Sequence, residues 1–237
     1  MPRFTHLIPL VFAAVACAGH AAALPDRVIL VGDSTMASTT GYGDALCARF
    51  TPETACVNLA RGGRSSGSFR AEGRWDEVQG LLRNGADFRT TYVLIQFGHN
   101  DQPGKPGRST DFATEFPANM TRYVEEARAL GAQPVLVTPL TRRSFKAGYV
   151  HNDLAPWAGT VRRIAHATRT PLIDLNARSL AAVQAMGPQE ADKLARSGAN
   201  FDYTHVGPLG AERFAGIMAE ELARTLPDLA PALRSAP

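Results

Sequence analysis

The sequence predicts a single α/β domain: a three-layer α/β/α sandwich around a central parallel sheet of five strands in flavodoxin-like order. Three observations predict it. The β-rich runs are continuously apolar rather than alternating, the pattern of strands buried on both faces. Helical periodicities separate these runs, and strand–helix alternation implies right-handed crossovers between parallel strands. The chain has 237 residues and is 45% hydrophobic, which suits one well-buried core.

The elements follow in order. Strands are expected at Arg27 to Val31, Ala55 to Leu59, Thr91 to Phe97, Gln133 to Thr138 and Pro171 to Leu175. Helices are expected at Gly43 to Phe50, Trp75 to Leu82, Phe116 to Leu130, Leu154 to Thr168 and Leu209 to Leu226. Gly131 is a good stop for the third helix, and Pro227 closes the last. Residues 176–203 carry no clear period and are read as including an insertion, while 104–115 and 140–153 are polar loops able to shape a cleft.

Residues 1–23 are read as a secretory signal peptide and 24–237 as the domain. Arg3 supplies a positive start, Leu7 to Ala18 an apolar run, and Ala21-Ala22-Ala23 a small-residue cleavage site. Pro9, Gly19 and His20 interrupt the roughly 20 continuous apolar residues a membrane span needs. Export to the periplasm or exterior is therefore expected. Cys17 sits in a weak lipoprotein-like box, so lipid anchoring is the lesser alternative. Cutting after Ala23 leaves Cys47 and Cys56, and an even count in an exported chain favours a disulfide over two buried thiols. The net charge of +3 is scattered, which argues against nucleic acid as a partner. A monomer is expected.

Polar motifs mark the expected strand ends, where open α/β sheets place their sites. Gly32-Asp33-Ser34-Thr35 follows the first strand, with Gly32 permitting a tight turn. Ser34 there could be a nucleophile with backbone N–H groups aimed at an oxyanion, or simply an N-cap. Asp202 and His205, three apart before the last helix, could be a general base and its orienting acid, or a capping Asp and a surface His. Asn100 could donate to an oxyanion or just form a turn, and Gly62-Gly63 could offer a backbone N–H or mere flexibility. Gly63-Arg64-Ser65-Ser66-Gly67 fits the nucleophile elbow G-x-S-x-G, but that motif needs a strand running into its serine. Ser34 is therefore preferred, with Ser65 as a polar support.

Other residues carry lesser expectations. His99 and Asp101 flank Asn100 and are read as holding the loop, since no ligand cluster of zinc spacing is present. His151 and His166 are read as helix or loop residues, and Asp174 as a rival orienting acid or a turn-former. Trp75 could platform a sugar ring. Arg61, Arg64, Arg70, Arg74, Arg142 and Arg143 could line a basic rim for carboxylates, or be solvated.

Taken in order, Ser34, Gly63, Asn100 and His205 resemble the four blocks of the SGNH, or GDSL-type, hydrolase superfamily, and the likeness spans nearly all of residues 24–237. Finer features are similar to the rhamnogalacturonan acetylesterases: Gly32 to Met36, Asn58 to Ser66, Gly98 to Asp101, Thr138-Pro139 with Arg142-Arg143, and Asp202 to His205. Val206-Gly207-Pro208 departs from that branch, which often has Leu-Asn there. The resemblance implies a secreted, cofactor-free serine esterase that removes acetyl groups from pectic rhamnogalacturonan. It implies a catalytic set of Ser34, Asp202 and His205, and an oxyanion hole of Ser34, Gly63 and Asn100; Gly62 leaves the glycine ambiguous by one residue. Arg64, Trp75, His99 and Arg142 are the expected substrate contacts. The alternatives are acetylated xylan, another acylated glycan or a lipid as substrate, and a non-catalytic glycan-binding module on the same fold.

Overall fold

The computed structural model describes Met1 and residues 24–234, so the expected leader and Cys17 lie outside the described residues. Five parallel strands form the central sheet: β1 (Arg27–Gly32), β2 (Ala55–Asn58), β3 (Thr91–Gln96), β4 (Gln133–Val137) and β7 (Leu172–Ile173). They lie in the order β2-β1-β3-β4-β7, which is the flavodoxin-like order. β1 and β3 are buried along their whole lengths, as their unbroken apolar runs require.

Successive side chains of a strand point to opposite faces, so each run feeds two cores. Val28, Leu30, Leu94 and Val135 pack with α1 (Gly43–Cys47) and α7 (Pro208–Thr225) on one face. Ile29, Val31, Val93 and Ile95 pack on the other with α2 (Ser66–Ala71), α3 (Arg74–Arg83), α4 (Glu115–Ala129) and α5 (Ala155–Thr168). The disulfide Cys47–Cys56 joins the end of α1 to β2, with Cα atoms 5.3 Å apart. Among the described residues no helix is long and apolar enough to cross a membrane.

Three regions differ from expectation. The last strand is only Leu172–Ile173, because Asp174 caps a helix: its carboxylate accepts from the N–H of Ala177 and the Thr138 hydroxyl. That helix, α6 (Leu175–Asp192), fills much of the stretch expected to hold an insertion. Its period is broken by Gly187-Pro188, where Gly187 takes φ 71° and the helix kinks. Within the 140–153 loop, β5 (Phe145–Lys146) and β6 (Tyr149–Val150) form an antiparallel ribbon. Ala147 and Gly148 close it, both at positive φ, as a two-residue hairpin turn demands.

Candidate active site

In this strand order the topological switch lies between β1 and β3, and polar loops gather there at the carboxyl ends of the strands. β1 delivers Ser34, whose turn is closed by Met36 N–H and Ala37 N–H donating to Asp33 O. The loop before α7 delivers Asp202 and His205. His205 Nε2 lies 2.8 Å from Ser34 Oγ, and His205 Nδ1 lies 2.8 Å from Asp202 Oδ2. In the neutral imidazole this network places the proton on Nδ1, donated to Asp202, and leaves Nε2 to accept from Ser34.

Asp202 Oδ1 accepts the backbone N–H groups of Thr204 and His205, each at 2.9 Å. Burial pushes the Asp202 carboxyl up, but these N–H groups and the His205 ring outweigh it and hold it below the usual carboxylate range. Asp202 therefore stays an anion able to orient the ring and stabilise an imidazolium.

Asn100, after β3, donates from Nδ2 to Arg64 O at 3.1 Å, which sets its amide beside the Gly62-Gly63 turn and leaves its second Nδ2 hydrogen available. The Ser34, Gly62 and Gly63 N–H groups have no backbone acceptor among the described residues. Gly63 sits at φ 78°, a conformation that favours glycine. Gly62 packs directly on Ser34, since a Cβ there would lie 3.8 Å from the serine Cβ. Gly62 thus adjoins the serine, and Gly63 follows it in the same turn.

The residues expected to touch substrate are placed differently. Trp75 is not a sugar platform: it is buried in the core against Tyr123, and its indole N–H donates to Glu126. The apolar helical spacing of α3 turns it inward. His99 is buried behind the serine turn, its Nδ1 3.3 Å from Asp33 Oδ2 without hydrogen-bond alignment, so it offers no surface contact. Arg142 is committed to Asp153 and to the Thr204 hydroxyl. Arg64 and Arg74 share Glu72, Arg70 holds Glu126, and Arg143 is buried. Asp174 pairs with Arg162 and is no orienting acid. His151 and His166 are exposed. Ser65 is the buried N-cap of α2, in a reciprocal pair with Ser68. Among the described residues no three His, Cys, Asp or Glu side chains cluster as a metal site.

Two arginines at the mouth carry no ion pair among the described residues. Arg61 lines a cavity of about 460 Å³ beside the serine turn, together with Ala37, Thr39, Thr40 and Gly62. Arg108 leans over the glycine turn, its Nη1 3.4 Å from where a Gly63 Cβ would lie. Arg108 drew no notice in the sequence, whose only signal there was the polar character of residues 104–115. Asp101 fastens that loop: Oδ1 accepts from Ser66 N–H, the Ser66 hydroxyl and the Thr110 hydroxyl. Its burial, opposed only by those neutral donors, raises the carboxyl to about 6.

A sequence profile of the GDSL-like lipase/acylhydrolase family matches residues 30–213. The chain is 33% identical over 214 residues to the rhamnogalacturonan acetylesterase RhgT of Bacillus subtilis, covering 83% of this chain and 89% of that protein. It is 30% identical over 206 residues to the probable rhamnogalacturonan acetylesterase YesY of the same organism, covering 83% and 92%. Among solved structures, the Bacillus subtilis protein YxiM superposes with a TM-score of 0.71 at 26% identity, over 85% of this chain and 57% of that one. The acetylxylan esterase Axe2 of Geobacillus stearothermophilus shares the fold, with a TM-score of 0.61 at 20% identity over 85% and 95%.

Proposed function

The chain belongs to the GDSL-like lipase/acylhydrolase family and is a carboxylic ester hydrolase; from that premise we propose that it is an exported serine esterase removing acetyl groups from a plant cell-wall polysaccharide, pectic rhamnogalacturonan. The observation that carries the chemistry is the pair of 2.8 Å contacts linking Ser34, His205 and Asp202.

Ser34 Oγ attacks the acetyl carbonyl carbon as its proton passes to His205 Nε2. Asp202 accepts from Nδ1–H and stabilises the charged ring. The negative oxygen that forms is received by the N–H groups of Ser34 and Gly63 and by the free Asn100 amide hydrogen. Collapse breaks the bond to the sugar oxygen, which takes the proton from His205 and leaves an acetyl-serine. Water, deprotonated by the same histidine, attacks the acetyl-serine, and acetate departs as Ser34 regains its proton.

The pectic substrate is supported by the names of the relatives at 33% and 30% identity. It is also supported by Arg61 and Arg108, the cations at the mouth left without a carboxylate among the described residues. A guanidinium is well matched to a uronate carboxylate. The likeness to an acetylxylan esterase is one of fold. Export through the 1–23 leader is supported by the Cys47–Cys56 bridge, since disulfides persist in oxidising compartments.

The test is acetate release from acetylated rhamnogalacturonan beside acetylated xylan at matched acetyl content. Preference for the pectic polymer is expected, with Arg61→Ala and Arg108→Ala raising KM for it and leaving KM for p-nitrophenyl acetate unchanged. Equal or xylan-biased release overturns the substrate while keeping the esterase. Binding of glycan without release from any acetyl ester would favour a binding module instead.

A further inference from the structure

Arg143 is buried at 1% exposure with no carboxylate in ion-pair reach among the described residues. Its Nη2 donates to Asp202 O at 2.6 Å and to His205 O at 2.8 Å, and its own backbone N–H donates to Tyr203 O at 2.9 Å. Nε and Nη1 have no partner. An arginine remains a cation in protein interiors, so a guanidinium buried without a counter-ion is costly unless polar groups surround it. Here the groups that answer it are carbonyls of a single four-residue stretch, the one that bears Asp202 and His205. Burial pulls the guanidinium down from its usual range, and the nearby Asp202 and Asp192 carboxylates pull it back up.

Within the stretch, Asp202 Oδ1 accepts from Thr204 N–H and His205 N–H. It is tied to the rest of the fold by the bridge Ala195↔Val206, with Arg196 N–H donating to His205 O, by the bond from Val206 N–H to Thr40 O, and by the bond from Arg142 to the Thr204 hydroxyl. Phe201 and Tyr203 point outward and are exposed. The carbonyls of Asp202 and His205 belong to the same residues whose side chains must meet Ser34 at hydrogen-bond distance. One nitrogen, Nη2, holds both carbonyls and so ties the backbone of the two residues to a single buried point.

We propose that Arg143 is a positioning residue for the ester hydrolysis, clamping the Asp202–His205 loop by its carbonyls so that the imidazole stays aligned on Ser34. It acts through the loop and touches no reacting atom. The proposal rests on reading Ser34, His205 and Asp202 as the reacting set.

The test is steady-state hydrolysis of p-nitrophenyl acetate by Arg143→Met and Arg143→Lys at a temperature well below each variant's Tm. Arg143→Met is expected to lower kcat about 100-fold, the scale of an ångström-sized misplacement, with KM within about two-fold of wild type. Arg143→Lys, whose single ammonium nitrogen can donate to both carbonyls as Nη2 does if it reaches them, is expected to recover part of that loss. A folded Arg143→Met with wild-type kcat overturns the proposal, as does a loss carried in KM alone. Should the methionine variant fail to fold, a folded Arg143→Gln, whose amide is too short to reach both carbonyls, with wild-type kcat overturns it equally. Ser34→Ala run beside them separates the two levels: an active Ser34→Ala sinks the reading of Ser34, His205 and Asp202 as the reacting set, whereas an inactive one beside an unimpaired Arg143→Met or Arg143→Gln sinks only the clamp.

Discussion

The Asp202–His205 and Asp33–His99 pairs use the same two residue types at the same end of the sheet, and they differ in burial, alignment and partners. Asp202 and His205 keep 26% and 30% of their side chains exposed, are aligned at 2.8 Å, and reach the serine. Asp33 and His99 are buried at 0% and 3%, approach to 3.3 Å without alignment, and leave both ring nitrogens of His99 without a hydrogen bond. The inner pair belongs to a packed network in which Asp33 Oδ1 accepts from Thr35, Gln96 donates to the Thr35 hydroxyl, and Tyr42 donates to Gln96. Composition does not make a base. A histidine works when one nitrogen is fixed by an acid and the other faces the atom it must deprotonate.

The sharpest way to break this comparison is to remove each histidine in turn. His205→Ala should cost about 10⁴–10⁶-fold in kcat, in line with losing the base of a serine hydrolase. His99→Gln should cost far less than that, since its ring touches no reacting group. Acetate release from an activated acetyl ester measures both. If His99→Gln were the dead variant and His205→Ala the active one, the assignment of roles would be reversed.

The aspartates sharpen the contrast. Asp202→Asn should lower kcat about 10⁴-fold while barely moving Tm, because the amide can hold the wrong tautomer without emptying a core site. Asp33→Asn should do the opposite. It removes a buried carboxylate that faces His99 and accepts from Thr35, so the loss should fall on Tm rather than on kcat. Burial pushes Asp33 up, but His99 and the Thr35 donors prevail and hold it below the ordinary carboxylate range. A depressed carboxyl adds stability that is present above its unfolded value and is lost as pH falls through its folded value. The Tm gap between wild type and Asp33→Asn should therefore be full at pH 7 and narrow below about pH 4. A constant gap down to pH 2.5, read by thermal melts, would mean that Asp33 contributes shape and not charge.

The outer pair, which alone reads equally as a capping Asp and a surface His, was legible because Asp202 to His205 stands just before the last helix and completes the block resemblance that Ser34, Gly63 and Asn100 begin. The sheet was legible for the related reason that buried parallel strands leave long apolar runs, as in Arg27–Gly32 and Thr91–Gln96. What failed depended on long-range partners. Trp75 fits the apolar spacing of its helix, but the carboxylate that receives its indole N–H, Glu126, lies 51 residues away. Arg142 and Arg143 looked like neighbours on one rim, yet one is spent on Asp153 and the other on loop carbonyls. The helix Ser66–Ala71 was hidden by Ser and Gly, weak helix formers stabilised here by a capping box. The helix Leu175–Asp192 was hidden by the Gly187-Pro188 kink.

The smallest effect extends the comparison to a third carboxylate. Asp101 is buried like Asp33, but its partners are the Ser66 N–H and two hydroxyls rather than an imidazole. Neutral donors do not offset its desolvation, and the carboxyl rises to about 6 where Asp33 falls. The sign of its linkage is reversed. The folded state holds the Asp101 proton more tightly than the unfolded state, so this group costs stability as pH rises from about 4 through 6. Between pH 4.5 and 7.5 the loss comes to about 2 kcal/mol. Asp101→Asn keeps an acceptor oxygen for Ser66 and Thr110 and has no proton to lose, so urea unfolding at the two pH values should show a loss smaller than wild type by that amount. A wild-type slope in Asp101→Asn would place the titration on another carboxyl. It would also mean that hydroxyl donors can stand in for a histidine in keeping a buried aspartate charged.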